Sequence, residues 1–432
     1  MIGVPRRNTP RPEPSVALLA PETLMLGYGF DPTLSEGAVK TPIFLTSTFT
    51  YKTCAEGKQL FDYMSGRAPT PPGVQPGLIY TRFNNPNLQI VEERLAVLEK
   101  ADACAVFSSG MAAIMTALLA VAIPGEVVLR SRPLYGGTET LFDSLLASLG
   151  IRSVSFHDGV DPTAVHAAAE QAQALGRLAA IFVETPANPT NDVVDLRLIA
   201  EVAEASGERQ AGRPFVVVDN TLLGPLHQAP LAHGADAVVY SLTKYVGGHS
   251  DLIAGAVLGP AALMKKVRSL RNVVGNQLDV HSAWMLTRSL ETLRLRMDQA
   301  FANAKAVAAW LAKHPRVEQL FYLGALAEGS PAAQVVARQC SAHGATFSFV
   351  VRGGQDAAFR VLDHLKVFKL AVSLGGTESL ACHPASTTHS GVPEAERKAL
   401  GVSEGMVRLS IGLEAPNDLI ADLEAALASL ER

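Results

Sequence analysis

Residues 215–221 read FVVVDNT and residues 238–245 read VVYSLTKY, two apolar, β-branched runs that each close on polar groups: Asp219 in the first, Ser241, Thr243 and Lys244 in the second. Runs this short, without polar alternation, are the pattern of strands buried on both faces. The pattern recurs outward from them in CAVFSS (104–109), EVVLR (126–130) and AAIFVET (179–185), with helix-periodic stretches between most of them. LQIVEERLAVLEKA (88–101) and GMAAIMTALLAVA (110–122) are the clearest of these helices. Strands alternating with helices predict an α/β protein with a mostly parallel sheet covered on both sides.

The chain has 432 residues, more than a single core usually holds. Three segments are expected. Residues 1–83, rich in Pro and Gly, form an extended arm whose SGRAPTPPGVQPG stretch (65–77) is an exposed loop. Residues 84–284 form the α/β domain, and residues 285–432 a smaller α+β domain. The latter opens with one long helical stretch at 282–314 and holds strands at ATFSFVV (345–351) and MVRLSIG (406–412).

Composition narrows the function. With 48% hydrophobic residues, 18% charged residues and a formal charge of −4, the chain has no field suited to a phosphate backbone, so nucleic acid is not an expected partner and small-molecule chemistry is. The four cysteines, Cys54, Cys104, Cys340 and Cys382, form no CxxC pair, and Cys104 sits in an apolar strand as a core residue. They fit a reducing compartment. The apolar VALLA at 16–20 is too short for a signal core or a membrane span. A cytoplasmic protein without membrane partners is expected. His249, His383 and His389 match no usual zinc spacing, so no metal is expected.

In sheets of this kind ligands lie beyond the carboxyl ends of the strands. Ser108, Ser109 and Gly110 end one strand and open a helix, whose free amides suit a phosphate, although an ordinary N-cap reads the same. Glu184, Thr185 and Asn188 follow another strand and serve equally as a turn. Asp219 ends a buried strand, where a carboxylate calls for a cationic partner. Lys244 follows the next strand between two hydroxyls, and an isolated lysine there would simply reach the surface. Together they make the set a pyridoxal phosphate site requires: a lysine for the Schiff base, a carboxylate to keep the ring nitrogen protonated, and donors for the phosphate.

The strings GLIYTRFNNPN (77–87), FSSGMAAI (107–114), PLYGGT (133–138), VETPANPT (183–190), VVVDNT (216–221), SLTKYVGGHSD (241–251), SLGGTESLACHPASTTHS (373–390) and VRLSIGLE (407–414) resemble the Cys/Met-metabolism family of pyridoxal-phosphate enzymes. That family includes methionine γ-lyase, cystathionine γ-synthase, cystathionine γ-lyase and O-acetylhomoserine sulfhydrylase. The resemblance implies the PLP-dependent transferase fold type I and a homotetramer of dimers with shared active sites. It also implies roles. Lys244 would be the cofactor lysine and proton shuttle, Asp219 the partner of the ring nitrogen, and Tyr135 the stacking residue and acid toward the leaving group. Gly110, Met111, Ser241 and Thr243 would bind the phosphate, with Tyr80 and Arg82 supplied by a neighbouring subunit. Asn188 would sit near the ring oxygen, and Arg408 with the backbone near Ser373 would hold the substrate α-carboxylate.

The resemblance also bears on the reaction. Cystathionine-handling members resemble AESLGG where this chain has Val372 in AVSLGG, and bacterial cystathionine synthases tend to carry an acid where it has Ile79. A pocket without those acids favours a simple γ tail and elimination to a 2-oxo acid and ammonia, as in methionine γ-lyase. Against strict methionine specificity, Gly137 stands where methionine γ-lyases commonly carry cysteine. Canavanine γ-lyase activity, γ-replacement on O-acylhomoserine and cystathionine γ-lyase activity stay open. Glu36, in LSEGAVK (34–40), could face a cationic tail or simply be a solvated loop acid.

Overall fold

The computed structural model describes residues 19–69 and 77–431. Most of the Pro/Gly-rich loop and most of the VALLA segment therefore lie outside the described residues. Seven strands, β1 (Ala103–Phe107), β2 (Val127–Ser131), β3 (Arg152–Phe156), β4 (Leu178–Glu184), β5 (Phe215–Asp219), β6 (Ala237–Ser241) and β7 (Gly255–Gly259), form one sheet in the order β1-β7-β6-β5-β4-β2-β3. β7 runs antiparallel to β1 and β6, while β6, β5, β4, β2 and β3 pair in parallel. The carboxyl ends of all strands but β7 thus share one edge.

Alternate residues of a strand face opposite sides, and here both sides are core. Val216 and Val218 enter one apolar cluster and Val217 a second; on β1, Phe107 joins the second and Val106 a third. At about 25 cal/mol per Å² of apolar surface, this two-sided burial is the main stabilisation of the sheet. The strands expected from 104–109, 126–130, 179–185, 215–221 and 238–245 are all present.

A second sheet contains β8 (Val317–Phe321), β9 (Thr346–Val351), β10 (Lys369–Leu370), β11 (Leu380–Cys382) and β12 (Met406–Ser410), in the order β10-β11-β12-β9-β8. The expected boundary near residue 284 falls inside the helix Val280–Leu290. The single helix expected over 282–314 is two, because the chain breaks at Glu291 and Thr292 before Leu293–Leu311 begins. At the break the Ser289 carbonyl accepts both Thr292 N–H at 3.2 Å and Arg296 Nη2 at 2.9 Å, which closes the first helix and anchors the second. The arm is not uniformly extended. Thr53 caps a helix over Cys54–Ser65 through its side chain, and Gly66 ends it with φ 72°.

Candidate active site

The shared strand edge carries the site. Past β1, Ser109 caps the twelve-residue helix Gly110–Val121, its side chain accepting from Ala112 N–H at 3.0 Å. The amides of the first helical residues have no intrahelical partner, so Gly110 and Met111 present N–H groups at the positive end of the helix. A Cβ on Gly110 would lie 2.8 Å from Ser241 Cβ, and one on Gly255 2.8 Å from Gly110 Cα. The ends of β1, β6 and β7 therefore pack so closely that only glycine fits at Gly110 and Gly255, with the Ser241 side chain against Gly110. Thr243 is nearby in sequence, but its hydroxyl is engaged with Ala254, donating to the carbonyl at 3.2 Å and accepting from N–H at 3.0 Å.

Asp219 ends β5 and is buried. Its Oδ1 accepts from Thr221 N–H at 3.0 Å and Thr221 Oγ1 at 2.6 Å, and Thr221 Oγ1 also accepts from Ser241 N–H at 2.9 Å. Burial raises the Asp219 carboxyl, while the Thr221 bonds and the Lys244 charge pull it down. The expected cationic partner acts here as a charge, without a contact ion pair. Lys244 lies past β6 and donates from Nζ to Ser373 Oγ at 3.0 Å. Burial and then Arg408 lower its ammonium to about 8, against the pull of Asp219.

The second sheet supplies the opposite wall. Arg408, on β12 and only 3% exposed, donates from Nη1 to Asn188 Oδ1 at 3.1 Å and from Nη2 to the Ser373 carbonyl at 2.8 Å. Its Nε is buried without a partner among the described residues. Ser373 has φ 101°, a conformation rarely adopted outside glycine and found where a site fixes it. Tyr135 opens the short helix Gly136–Thr140 and is 41% exposed; a Cβ on Gly137 would press to 2.6 Å from its ring.

Glu184, whose sequence context fits a plain turn equally well, is prominent here. Glu184, the last residue of β4, pairs in register with Asp219 and accepts Tyr135 N–H at 2.7 Å and Asn188 N–H at 2.9 Å. Thr221 was also passed over, although a hydroxyl two positions after a strand-end aspartate is a recognisable Asx pairing.

Other expected residues lie apart. Arg82 donates to the Asn272 carbonyl at 2.5 Å and stacks over the rings of Phe83 and Tyr80. Neither it nor Tyr80 bonds to the strand-end cluster among the described residues. Glu36 is exposed with φ 54°. Ile79 is buried, and Val372 is 55% exposed beside Ser373. His383 bonds to Ser386 and the Glu404 carbonyl, His249 to the Gly247 carbonyl and His389 to Thr388 and the Leu134 carbonyl. His249 serves its local turn, while His383 and His389 also tie their turn to distant carbonyls, and no cluster of metal-ligating side chains forms among the described residues.

A glycine-opened helix with free amides, a buried strand-end carboxyl, a lysine lowered to about 8 and a buried arginine with an orphaned Nε together fit pyridoxal phosphate and an amino-acid carboxylate. This defines a pyridoxal-phosphate enzyme of fold type I. The sequence matches the family described as Cys/Met metabolism PLP-dependent enzyme over residues 22–428, and the chain belongs to that family. It is 39% identical over 407 residues to an L-methionine gamma-lyase of Pseudomonas putida, covering 94% of this chain and 96% of that protein. It is 35% identical over 395 residues to an O-succinylhomoserine sulfhydrylase of Pseudomonas aeruginosa, covering 91% and 92%. Among solved structures, cystathionine gamma synthase from Xanthomonas oryzae pv. oryzae superposes with TM-score 0.83 at 34% identity, covering 96% and 99%. No helix among the described residues is long and apolar enough to cross a membrane.

Proposed function

We propose that the enzyme catalyses γ-elimination on an L-amino acid bearing a γ leaving group, releasing a 2-oxo acid and ammonia in the manner of a methionine γ-lyase. Pyridoxal phosphate, when bound, supplies an electron sink for the bond electrons at substrate Cα. The chain's own groups do the rest. Gly110 and Met111 N–H with the Ser241 hydroxyl would hold the phosphate, Thr243 Oγ1 joining them on giving up its bond to the Ala254 carbonyl, and Asn188 would serve the ring oxygen. Asp219 keeps a proton on the ring nitrogen. Arg408, through its free Nε, and the backbone at Ser373 hold the α-carboxylate. Lys244 Nζ would take the proton from Cα and, once it has given that proton up, one from Cβ, and the Tyr135 hydroxyl would give one to the departing γ group.

The observation that carries this reading is the state of Lys244: a buried amine lowered to about 8 is neutral in about a tenth of molecules at pH 7, some two orders of magnitude more than an ordinary lysine, and can act as a base. Apolar Val372 and Ile79 support a substrate without a second ammonium, since leaving one unpaired costs about 1–3 kcal/mol. Likeness to the Pseudomonas putida enzyme points the same way. γ-Replacement on an O-acylhomoserine is the second reading. It is favoured by Gly137, where the Tyr135 ring takes the space a side chain would need, and by likeness to the sulfhydrylase and the synthase.

The exposed apolar residues Val39, Leu45 and Tyr80 support an assembly, read here as a homotetramer in which Tyr80 and Arg82 reach a neighbour's phosphate. The free cysteines suit a cytoplasmic setting. Keto acid release from methionine, canavanine, cystathionine and O-acetylhomoserine, with and without added thiol, tests the proposal. Keto acid from methionine alone supports elimination, whereas a sulfur-containing amino acid formed only from O-acetylhomoserine with thiol, without keto acid, supports replacement.

A further inference from the structure

Glu184 does something no other carboxyl of the site does: it joins two loops through their main chains. Oε2 accepts Tyr135 N–H at 2.7 Å, and Oε1 accepts Asn188 N–H at 2.9 Å. Tyr135 follows β2 through a loop and Asn188 lies in the turn after β4, so neither residue is held by a strand ladder. From Asn188 the hydrogen bonds continue, its Oδ1 accepting Arg408 Nη1, Arg408 Nη2 donating to the Ser373 carbonyl, and Ser373 Oγ accepting Lys244 Nζ. An unbroken path therefore runs from the tyrosine to the lysine, and its first link is the Glu184 fork.

We propose that Glu184 is a positioning residue for the reaction, clamping the Tyr135 and Asn188 amides so that the phenol-bearing residue keeps a fixed separation from the Arg408–Ser373–Lys244 wall. This rests on the roles given above to Tyr135, Arg408 and Lys244. Only a carboxyl offers two coplanar acceptor oxygens at this reach; glutamine offers one, and aspartate is a methylene shorter. The location is otherwise unfavourable. Glu184 is 5% exposed and lies beside Asp219, a neighbour that makes a second buried negative charge costly. Burial, and then Asp219, raise the Glu184 carboxyl, and the Tyr135 and Asn188 amides pull it back down, so the fork itself steadies the carboxyl at this depth.

The test compares Glu184→Gln and Glu184→Asp with the parent, as apo-protein and after loading with pyridoxal phosphate. For both variants we expect cofactor affinity to fall about tenfold, the effect of one lost hydrogen bond. The visible circular dichroism of the bound cofactor should weaken as the tyrosine loses its fixed stacking, and kcat should fall about 10²-fold, as a misplacement near 1 Å commands. A merely structural role would lower the apo melting temperature and leave the dichroism of the loaded fraction unchanged, and that result overturns the proposal. So does a Gln variant with affinity, dichroism and kcat within twofold of the parent. Should Glu184→Gln not fold, the same thresholds apply to Glu184→Asp. A parent that fails to bind the cofactor through Lys244 would instead remove the site reading itself, whatever Glu184 does.

Discussion

Lys244 and Ser373 are 129 positions apart and meet at 3.0 Å, Nζ donating to Oγ. The lysine follows β6 of the seven-stranded sheet, and the serine lies between β10 and β11 of the other. The base and the residue that steadies it therefore come from different sheets, and the site exists only where the two pack together. Gly375 N–H, donating to Ser410 Oγ at 2.9 Å, ties the serine's loop to β12, which also carries Arg408.

The φ of 101° at Ser373 costs of order 1–3 kcal/mol for a residue with a Cβ. Ser373→Gly removes that strain together with the hydroxyl. Its melting temperature is expected to equal or exceed the parent's, while kcat/KM falls about tenfold through loss of the bond to Lys244. A variant that melts lower with unchanged kcat/KM would show that the conformation has no bearing on the reaction.

Capture of the cofactor by apo-protein needs the neutral Lys244 amine. An ordinary lysine is protonated until about pH 10.4, whereas this one is lowered to about 8, chiefly by burial. The association rate, followed by stopped-flow absorbance, should rise about tenfold per pH unit below 8 and level off above it. A rate still climbing beyond pH 9.5 would mean that the amine is not desolvated as described.

Arg408→Lys keeps the charge and loses the fork. Asn188 Oδ1 and the Ser373 carbonyl are both bonded by Arg408, and a single ammonium lacks the planar geometry to serve both and a carboxylate. We expect KM to rise about 10²-fold with a smaller fall in kcat, and stability to drop by about 1–3 kcal/mol from the acceptor left unmet. Unchanged KM would remove Arg408 from substrate binding.

The strands that sequence made plain are those buried on both faces, because only there is an unbroken β-branched run required. β3, RSVSF, is an edge strand with alternating polarity, and β7, GAVLG, is short and bounded by glycines, so neither was singled out. The break at Glu291 and Thr292 escaped notice because apolar periodicity continues across it. The helix Cys54–Ser65 was hidden in a Pro/Gly-rich context, its polar face reading as loop. In the site, Lys244 and Asp219 were legible through their strand-end motifs, and Arg408 only through the family resemblance of VRLS. Glu184 was not, since what distinguishes it is a bond to an amide 49 positions away, which no local pattern records.

The last expectation concerns stability. His389 is 1% exposed, with Nε2 facing the Leu134 carbonyl at 3.3 Å and Nδ1 facing Thr388 Oγ1 at 2.9 Å. Burial, reinforced by the charges of Arg408 and Arg397, lowers it to about 4, although its hydrogen bonds to backbone oppose the shift. Since the folded value lies below the unfolded one, the unfolded chain takes up the proton first as pH falls. The stabilisation from neutral His389 is therefore complete above about pH 7 and is lost progressively between about 6.5 and 4, by up to roughly 3 kcal/mol. His389→Gln cannot titrate, so the stability of the parent relative to this variant should decline over that window and stay constant above it. Denaturant melts of both proteins at pH 7.5, 6.0, 5.0 and 4.5 measure the difference. An offset that is the same at every pH would mean that the imidazole is already hydrated, or charged, in the folded protein.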